Sequence, residues 1–123
     1  MAGTARLLIH PIRDVTVVTV QDSSILDSVA VEAMGEELYD LVDNKARKKL
    51  VLDFTKVQFL SSSALGVLIT LRKKAAAIKG DVVLCGLRKD LMKVFEITNL
   101  NKVFTFAPTE EKALAHFGIT TAG

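Results

Sequence analysis

The sequence contains one cysteine and two histidines in 123 residues, and each scarcity excludes a class of protein. Cys85 has no second cysteine to pair with, so an internal disulfide is excluded, which fits a reducing compartment. His10 and His116 are too few and too scattered for a typical zinc site. We therefore expect a cytoplasmic protein that binds no metal.

The chain also lacks a strong net charge and a long apolar run. Sixteen basic and fourteen acidic side chains give a net charge of +2, which creates no strong field toward nucleic acid or anionic membranes. No apolar run approaches the ~18 residues of a membrane span, and His10 and Pro11 interrupt the N-terminal one. We expect neither a nucleic-acid partner nor a membrane location.

The hydrophobic content of 50% is sufficient for one buried core. Internal repeats, low-complexity tracts and linker-like segments are all missing, so the sequence offers no point at which to divide it. We expect a single domain over residues 1–123.

The apolar pattern predicts the order β-β-α-β-α-β-α-β-α. The segments "RLLIHPIRD" and "VTVVTVQ" predict a hairpin, and Pro11 favours a sheet-edge position for the first strand. Unbroken apolar runs in "KLVLDF" and "DVVLCGL" predict buried strands, and "KVFTFA" predicts a last one. Because strands that alternate with helices pair in parallel, we expect an α/β fold with a mixed sheet.

Four helices are predicted from apolar residues at helical spacing. The first runs from about Asp27 to Ala46, and the second ends near Lys79 with Gly80 as a left-handed stop. The third and fourth correspond to "RKDLMKVFEITNL", which includes Leu100, and to "PTEEKALAHF". The inward stripe of the first helix is Ala30, Met34, Leu38, Leu41, Val42 and Lys45. The inward stripe of the second is Leu65, Leu68, Ile69, Arg72 and Ala76.

The basic run "KARKK", residues 45–49, has two interpretations. Clustered cations could bind phosphate or nucleic acid, but the dipole of a helix also favours cations at its C-terminus. We interpret the run as the solvated end of the first helix.

Three adjacent serines in "FLSSSALGVLI" follow a strand and precede a helix. One of them can cap the helix, which contributes about 1 kcal/mol. A hydrolase elbow would need flanking glycines, and a P-loop would need a glycine-rich loop and a lysine, none of which is present here. Because no nucleophile in the motif region is paired with a base, we expect no catalytic residues, no cofactor and no enzyme activity.

Other candidate residues have structural interpretations. Asp27 and Asp53 could be read as a catalytic carboxylate pair, but Asp27 is expected to cap its helix and Asp53 to satisfy turn amides. Cys85 lies in an apolar strand and is expected to be a buried, inert thiol.

The segments "VLDFTKVQFLSSSALGVLI" and "GDVVLCGLRKDLMKVFEITNLNKVF" resemble the STAS domain of bacterial anti-sigma factor antagonists. The core motif of that family reads roughly D-[LF]-x-x-V-x-[FY]-[ML]-D-S-[ST]-G-L-G, and the resemblance extends over nearly the whole chain. It implies the STAS fold, a mixed sheet of four to five strands flanked by about four helices.

In the family, the serine after the motif aspartate is phosphorylated by an anti-sigma factor of the serine kinase type and dephosphorylated by a PP2C-type phosphatase. The resemblance places that serine at Ser62. It implies a partner-binding surface made of Asp27, Ser61, Ser63, Ala64, Leu65 and Gly66.

Two positions depart from the motif: Ser61 replaces its aspartate and Ala64 replaces a glycine. The first change removes a charge that a kinase would recognise, and the second is expected to add a methyl group to the surface that a partner approaches. Both favour an alternative, an unphosphorylated STAS scaffold or small-ligand sensor. A hydrolase or nucleotidase is a third, weaker alternative.

Overall fold

An antiparallel hairpin forms one side of the sheet in the computed structural model, which describes residues 7–119. Strand β1 (Leu7–Ile12) pairs with β2 (Val15–Val20) from Leu7 opposite Val20 to Ile12 opposite Val15. Arg13 takes a left-handed φ of 57° in the turn. β1 is an edge strand, as predicted, so Pro11 can lie in it without breaking an interior ladder.

The remaining strands of the main sheet are parallel. β4 (Lys49–Asp53) pairs with β2 and with β6 (Asp81–Cys85), and β6 pairs with β7 (Thr105–Ala107). The five-stranded order is β1-β2-β4-β6-β7. The predicted mixed sheet is confirmed.

Helices cover both faces of this sheet. Their bounds are α1 Ser28–Asp43, α2 Ser62–Ala77, α3 Lys89–Ile97 and α4 Glu110–His116, with a 3-10 turn at Leu100–Lys102. The larger apolar cluster joins α1, α2 and α3 to one face through residues such as Leu50, Leu52 and Leu84. A smaller cluster joins α4 to the opposite face.

The sequence prediction missed two short strands. β3 (Ser24–Ile25) and β5 (Phe59–Leu60) pair in parallel as a separate two-stranded sheet. Ser24 lies within "QDSS", which had the composition of a turn. A strand of two residues is too short to show a period, so no pattern could reveal it.

The C-terminal part of the first helix was wrongly predicted. α1 ends at Asp43, so Lys45 lies beyond the helix, and a left-handed φ of 51° at Ala46 turns the chain back. The amide of Arg47 then donates to the Leu41 carbonyl at 2.8 Å. The basic run is therefore a folded loop that leads into β4 at Lys49, and Arg47 is only partly exposed.

Two details of α2 also differ from the prediction. Its buried stripe is Ala64, Leu65, Leu68, Leu71 and Ala75, whereas Ala76 is exposed and Ile69 and Arg72 are partly exposed. The left-handed residue at its end is Lys79, with φ 63°. Gly80 serves a different purpose, because a Cβ there would overlap the backbone carbonyl of Lys48.

The third helix is shorter than predicted. It ends at Ile97, and Asn99 takes a left-handed φ of 61°, so Leu100 lies in the following 3-10 turn and not in the helix. The left-handed residue breaks the helix although the apolar spacing continues. Thr109 caps α4 through a bond from the Lys112 amide, as its position in "PTEEKALAHF" predicted.

Candidate partner-binding site

The pairing of β3 with β5 brings the first turns of α1 and α2 together. Ile25 lies opposite Leu60, and the amide of Ser61 donates to the Ile25 carbonyl at 3.0 Å. Asp27 and Ser61, which follow these two strands, are the N-caps of α1 and α2. Two helix N-termini therefore lie side by side at the end of the sheet formed by the carboxyl ends of the parallel strands.

Side chains cap both helices. Asp27 Oδ1 accepts a hydrogen bond from the Val29 amide at 2.8 Å, which confirms its predicted capping role. Ser61 Oγ accepts one from the Ala64 amide at 3.1 Å. The capping serine is therefore Ser61, the residue that replaces the motif aspartate, and an aspartate is an equally good N-cap.

Ser62 and Ser63 are the first two residues of α2, and both are exposed. The sequence prediction that Ser62 lies in the first turn is confirmed. Since Ser61 already provides the cap, the Ser62 hydroxyl is not needed to start the helix. The helix leaves the amides of both residues without an intrahelical acceptor, and its dipole favours negative charge there.

The six residues expected to contact a partner do not share one surface. Asp27, Ser63 and Gly66 are exposed, and Ser61 is half-buried. Ala64 is fully buried and Leu65 is 7% exposed. The expectation that the Ala64 methyl group lies on the surface is therefore wrong, because the helix turns that position toward the sheet.

Gly66 forms an open position one turn beyond Ser62. A Cβ built on it would have no heavy atom within 4 Å, so the glycine is not required by packing inside the domain. It leaves bare backbone on the exposed side of α2, next to the serines.

Three large apolar side chains are exposed around these helix ends, and sequence reasoning missed them. Leu26 is 57% exposed, Val29 56% and Phe59 57%. We call these three residues the apolar rim. Leu26 directly precedes the α1 cap, Val29 lies in the first turn of α1, and Phe59 lies in β5. Exposed apolar residues that cluster at one place are typical of a protein-binding surface.

The other candidate residues take structural roles. Asp53 Oδ1 accepts bonds from the Thr55 amide at 2.9 Å and the Thr55 hydroxyl at 2.5 Å, as expected of a residue that satisfies a turn. Burial raises the pKa of the Cys85 thiol to about 12, and the carboxylates of Asp53 and Glu110 contribute further. A thiol with this pKa stays protonated at neutral pH, which agrees with the inert role predicted for it.

Two further kinds of site are absent from residues 7–119. No group of three or more His, Cys, Asp or Glu side chains in this range is arranged to hold a metal ion. Within the same range, no helix has the length and apolar character required to cross a bilayer.

Comparison with known proteins gives one consistent result. Residues 8–113 match the STAS domain family. The chain is 32% identical over 93 residues to the Bordetella bronchiseptica protein named "Putative anti-sigma factor antagonist BtrV", an alignment that covers 76% of this chain and 79% of BtrV.

Solved structures share the fold. An anti-sigma factor antagonist from Mycobacterium paratuberculosis superposes with a TM-score of 0.82 at 24% identity, covering 97% of this chain and 98% of the other. The Bacillus cell fate determinant SpoIIAA in its phosphorylated form superposes with a TM-score of 0.71 at 20% identity, covering 91% and 99%.

Proposed function

This chain belongs to the STAS domain family, and on that premise we propose that it is an anti-sigma factor antagonist whose binding is switched by phosphorylation of Ser62. The partner is an anti-sigma factor of the serine kinase type, and a PP2C-type phosphatase reverses the modification. The name of BtrV supports the first part, and the phosphorylated form of SpoIIAA supports the second.

The observation that carries the proposal is the division of roles between two neighbouring serines. Ser61 makes the capping bond of α2, whereas Ser62 is exposed and free to change chemically without loss of that cap. A phosphoserine carries a charge of about −1.5 to −2 and three acceptor oxygens. At the N-terminus of α2 the helix dipole and the free amides stabilise such a charge, so the fold should tolerate it.

The same charge would act against a bound partner. The apolar rim and the bare backbone at Gly66 form a surface that a partner can cover closely when Ser62 carries a neutral hydroxyl. Covering a phosphate there without a basic group costs several kcal/mol, and each 1.4 kcal/mol is a tenfold loss of affinity. The unmodified chain therefore binds and the modified chain is released.

The chemistry of the switch belongs to the partners. The kinase transfers the γ-phosphoryl group of ATP to Ser62 Oγ, which gives up its proton to a base of the kinase, while the bond to the bridging oxygen breaks and ADP leaves. The phosphatase hydrolyses the phosphoserine to serine and inorganic phosphate. The chain itself needs only an accessible hydroxyl on a rigid helix end, and α2 provides one.

The test is a phosphorylation reaction with a purified anti-sigma factor of the serine kinase type. With ATP, the intact mass should rise by one phosphate, and fragmentation should place it on Ser62. Ser62→Ala should remove the modification, and the matched variant Ser63→Ala should keep it. Phosphate on Ser63 alone, or on no serine of α2, contradicts the switch.

A second candidate is an unphosphorylated scaffold or small-ligand sensor with the same fold. Ser61 favours it, because the capping position carries no charge for a kinase to recognise. In that case the partner would bind the wild type and Ser62→Asp equally, and the mass would not change in the presence of kinase and ATP.

A further inference from the structure

Arg47 lies at the end of the sheet where the parallel strands begin, which is the opposite end from Ser62. Its Nε donates a hydrogen bond to Thr16 Oγ1 at 2.5 Å. Thr16 is 1% exposed and is the one buried polar residue among those the structure describes. A buried hydroxyl in an apolar core needs a partner, and here that partner also fixes the direction of the guanidinium group.

The guanidinium group has one unused donor. Arg47 Nη2 is buried and has no hydrogen-bond acceptor within residues 7–119. Leaving a buried donor unsatisfied costs about 1–3 kcal/mol, and more when it belongs to a charged group. An acceptor that reaches Nη2 from outside the chain would remove this penalty.

Arg47 lines two adjoining clefts. The larger, of about 360 Å³, is lined by Ile9, Pro11, Thr16, Leu41, Lys45 and Arg47. The smaller, of about 180 Å³, is lined by the loop from Lys45 to Lys49 and by Asp14. The larger cleft has the volume of a small-ligand site, and it places apolar walls beside two cations.

The charge around the clefts is only partly balanced. Lys49 pairs with Asp14 at 2.6 Å and Lys45 with Asp40 at 3.4 Å. Arg47 and Lys48 form no ion pair within the described part of the chain, although the Asp14 carboxylate, whose pKa Lys49 lowers most, is also influenced by Arg47. The loop therefore carries an excess of positive charge at the mouth of an apolar cleft.

We propose that this cleft binds a small carboxylate with an apolar body, of the size of a medium-chain fatty acid. The carboxylate bonds to Arg47 Nη2 and to Lys45 Nζ, because Nε is already occupied by Thr16. The apolar body packs against Ile9, Pro11 and Leu41. Ile9 is 38% exposed without such a ligand. Charge-assisted bonds of this kind are shorter and stronger than neutral ones.

Lys45 is placed to act as the second cation. It lines both clefts, its side chain is 60% exposed, and its ion pair with Asp40 is long. An exposed pair of this kind contributes little to stability, so the side chain can leave Asp40 and turn toward an anion. In the proposed complex, that movement supplies the second cation.

The test is an NMR titration of the ¹⁵N-labelled chain with sodium octanoate. The Arg47 Nε–H signal and the amides of Ile9 and Leu41 should shift and saturate with a Kd of about 1 mM or below. Arg47→Met, which keeps the apolar stem, should weaken binding at least about tenfold, and Lys45→Met should weaken it several-fold without disturbing the fold. Lys56 is an exposed cation that follows β4 at the carboxyl ends of the strands. The control variant Lys56→Met should therefore bind octanoate as the wild type does.

Neutral and small probes complete the design. Octanol lacks the charge and inorganic phosphate lacks the apolar body, so both should bind at least about tenfold more weakly than octanoate. The proposal is overturned if octanoate does not saturate, if either probe binds as tightly, or if Arg47→Met and Lys45→Met both bind as the wild type does.

Discussion

Ser61 and Ser62 are adjacent in the chain, yet only the Ser61 hydroxyl bonds to the backbone of α2. The sequence allowed the prediction that one serine of the three would cap the helix and that Ser62 would lie in the first turn. It could not identify the capping residue, because an N-cap is set by backbone angles, here φ −78° and ψ 165° at Ser61. All three positions are serine, so the residue type does not distinguish them.

Ser61→Ala should lower the free energy of unfolding by about 1 kcal/mol, because the Ala64 amide loses its acceptor. Ser62→Ala should change it by less than about 0.5 kcal/mol, since Ser62 is exposed and makes no cap. Urea unfolding of both variants and the wild type gives the comparison. Equal losses in the two variants would show that Ser62 is itself a structural residue.

At the scale of elements, periodicity gave the strand and helix order correctly wherever an element was long enough to show it. The failures lie at element ends. A residue with left-handed backbone angles occurs at each of these ends. It is Ala46 in the basic loop after α1, Lys79 after α2 and Asn99 after α3. None of these is a glycine, and only Asn99 is of a type that commonly takes this conformation, so the signal for a helix stop was weak.

The end of α2 offers a matched pair of substitutions. Gly80→Ala should destabilise the chain by about 1–3 kcal/mol, because its Cβ would overlap the Lys48 carbonyl and the main chain would have to shift. Lys79→Gly should keep stability or raise it by up to about 1 kcal/mol, because it relieves the left-handed φ of 63°. Thermal or urea unfolding measures both. A harmless Gly80→Ala would mean that the α2–β4 contact is looser than described.

The start of α4 should make stability depend on pH. Burial raises the pKa of Glu110, and the neighbouring Asp53 carboxyl raises it further, while His10 opposes the shift. Cys85 also faces this group. An acid whose pKa is raised on folding binds more protons when folded, so its contribution to stability falls as pH rises above the ordinary glutamate value of 4.5.

Glu110→Gln should remove this dependence. The variant and the wild type should have the same pH slope of unfolding free energy below pH 4.5, and above it the wild type should lose stability relative to the variant. Glu111→Gln is the matched control, because Glu111 lies in the same first turn of α4 but is exposed. This substitution removes the same interaction between a negative charge and the helix dipole. Equal slopes for all three proteins would contradict the assignment.

For the whole molecule, the sequence predicted the class of fold and the position of Ser62 at the start of α2, where the candidate site lies. It could not predict the shape of the site, because the contact between β3 and β5 joins segments more than thirty residues apart through two residues each. That contact pairs Ser24 with Phe59 and Ile25 with Leu60, and so brings the segments that carry Leu26 and Phe59 together. Ala64, expected at the surface, faces the core because the helix turns that position toward the sheet.

The central claim is that charge at Ser62 controls partner binding and leaves the fold unchanged. The direct test is the affinity of the kinase-type anti-sigma factor for wild type, Ser62→Ala, Ser62→Asp and Thr70→Asp, together with the melting temperature of each. Thr70→Asp places the same charge on an exposed position of α2 two turns away.

We expect Ser62→Ala and Thr70→Asp to bind as the wild type does, and Ser62→Asp to bind at least about tenfold more weakly, which is about 1.4 kcal/mol. All four proteins should melt within a few degrees of one another. If Ser62→Asp binds as tightly as the wild type, or loses binding only because it unfolds, the claim is wrong.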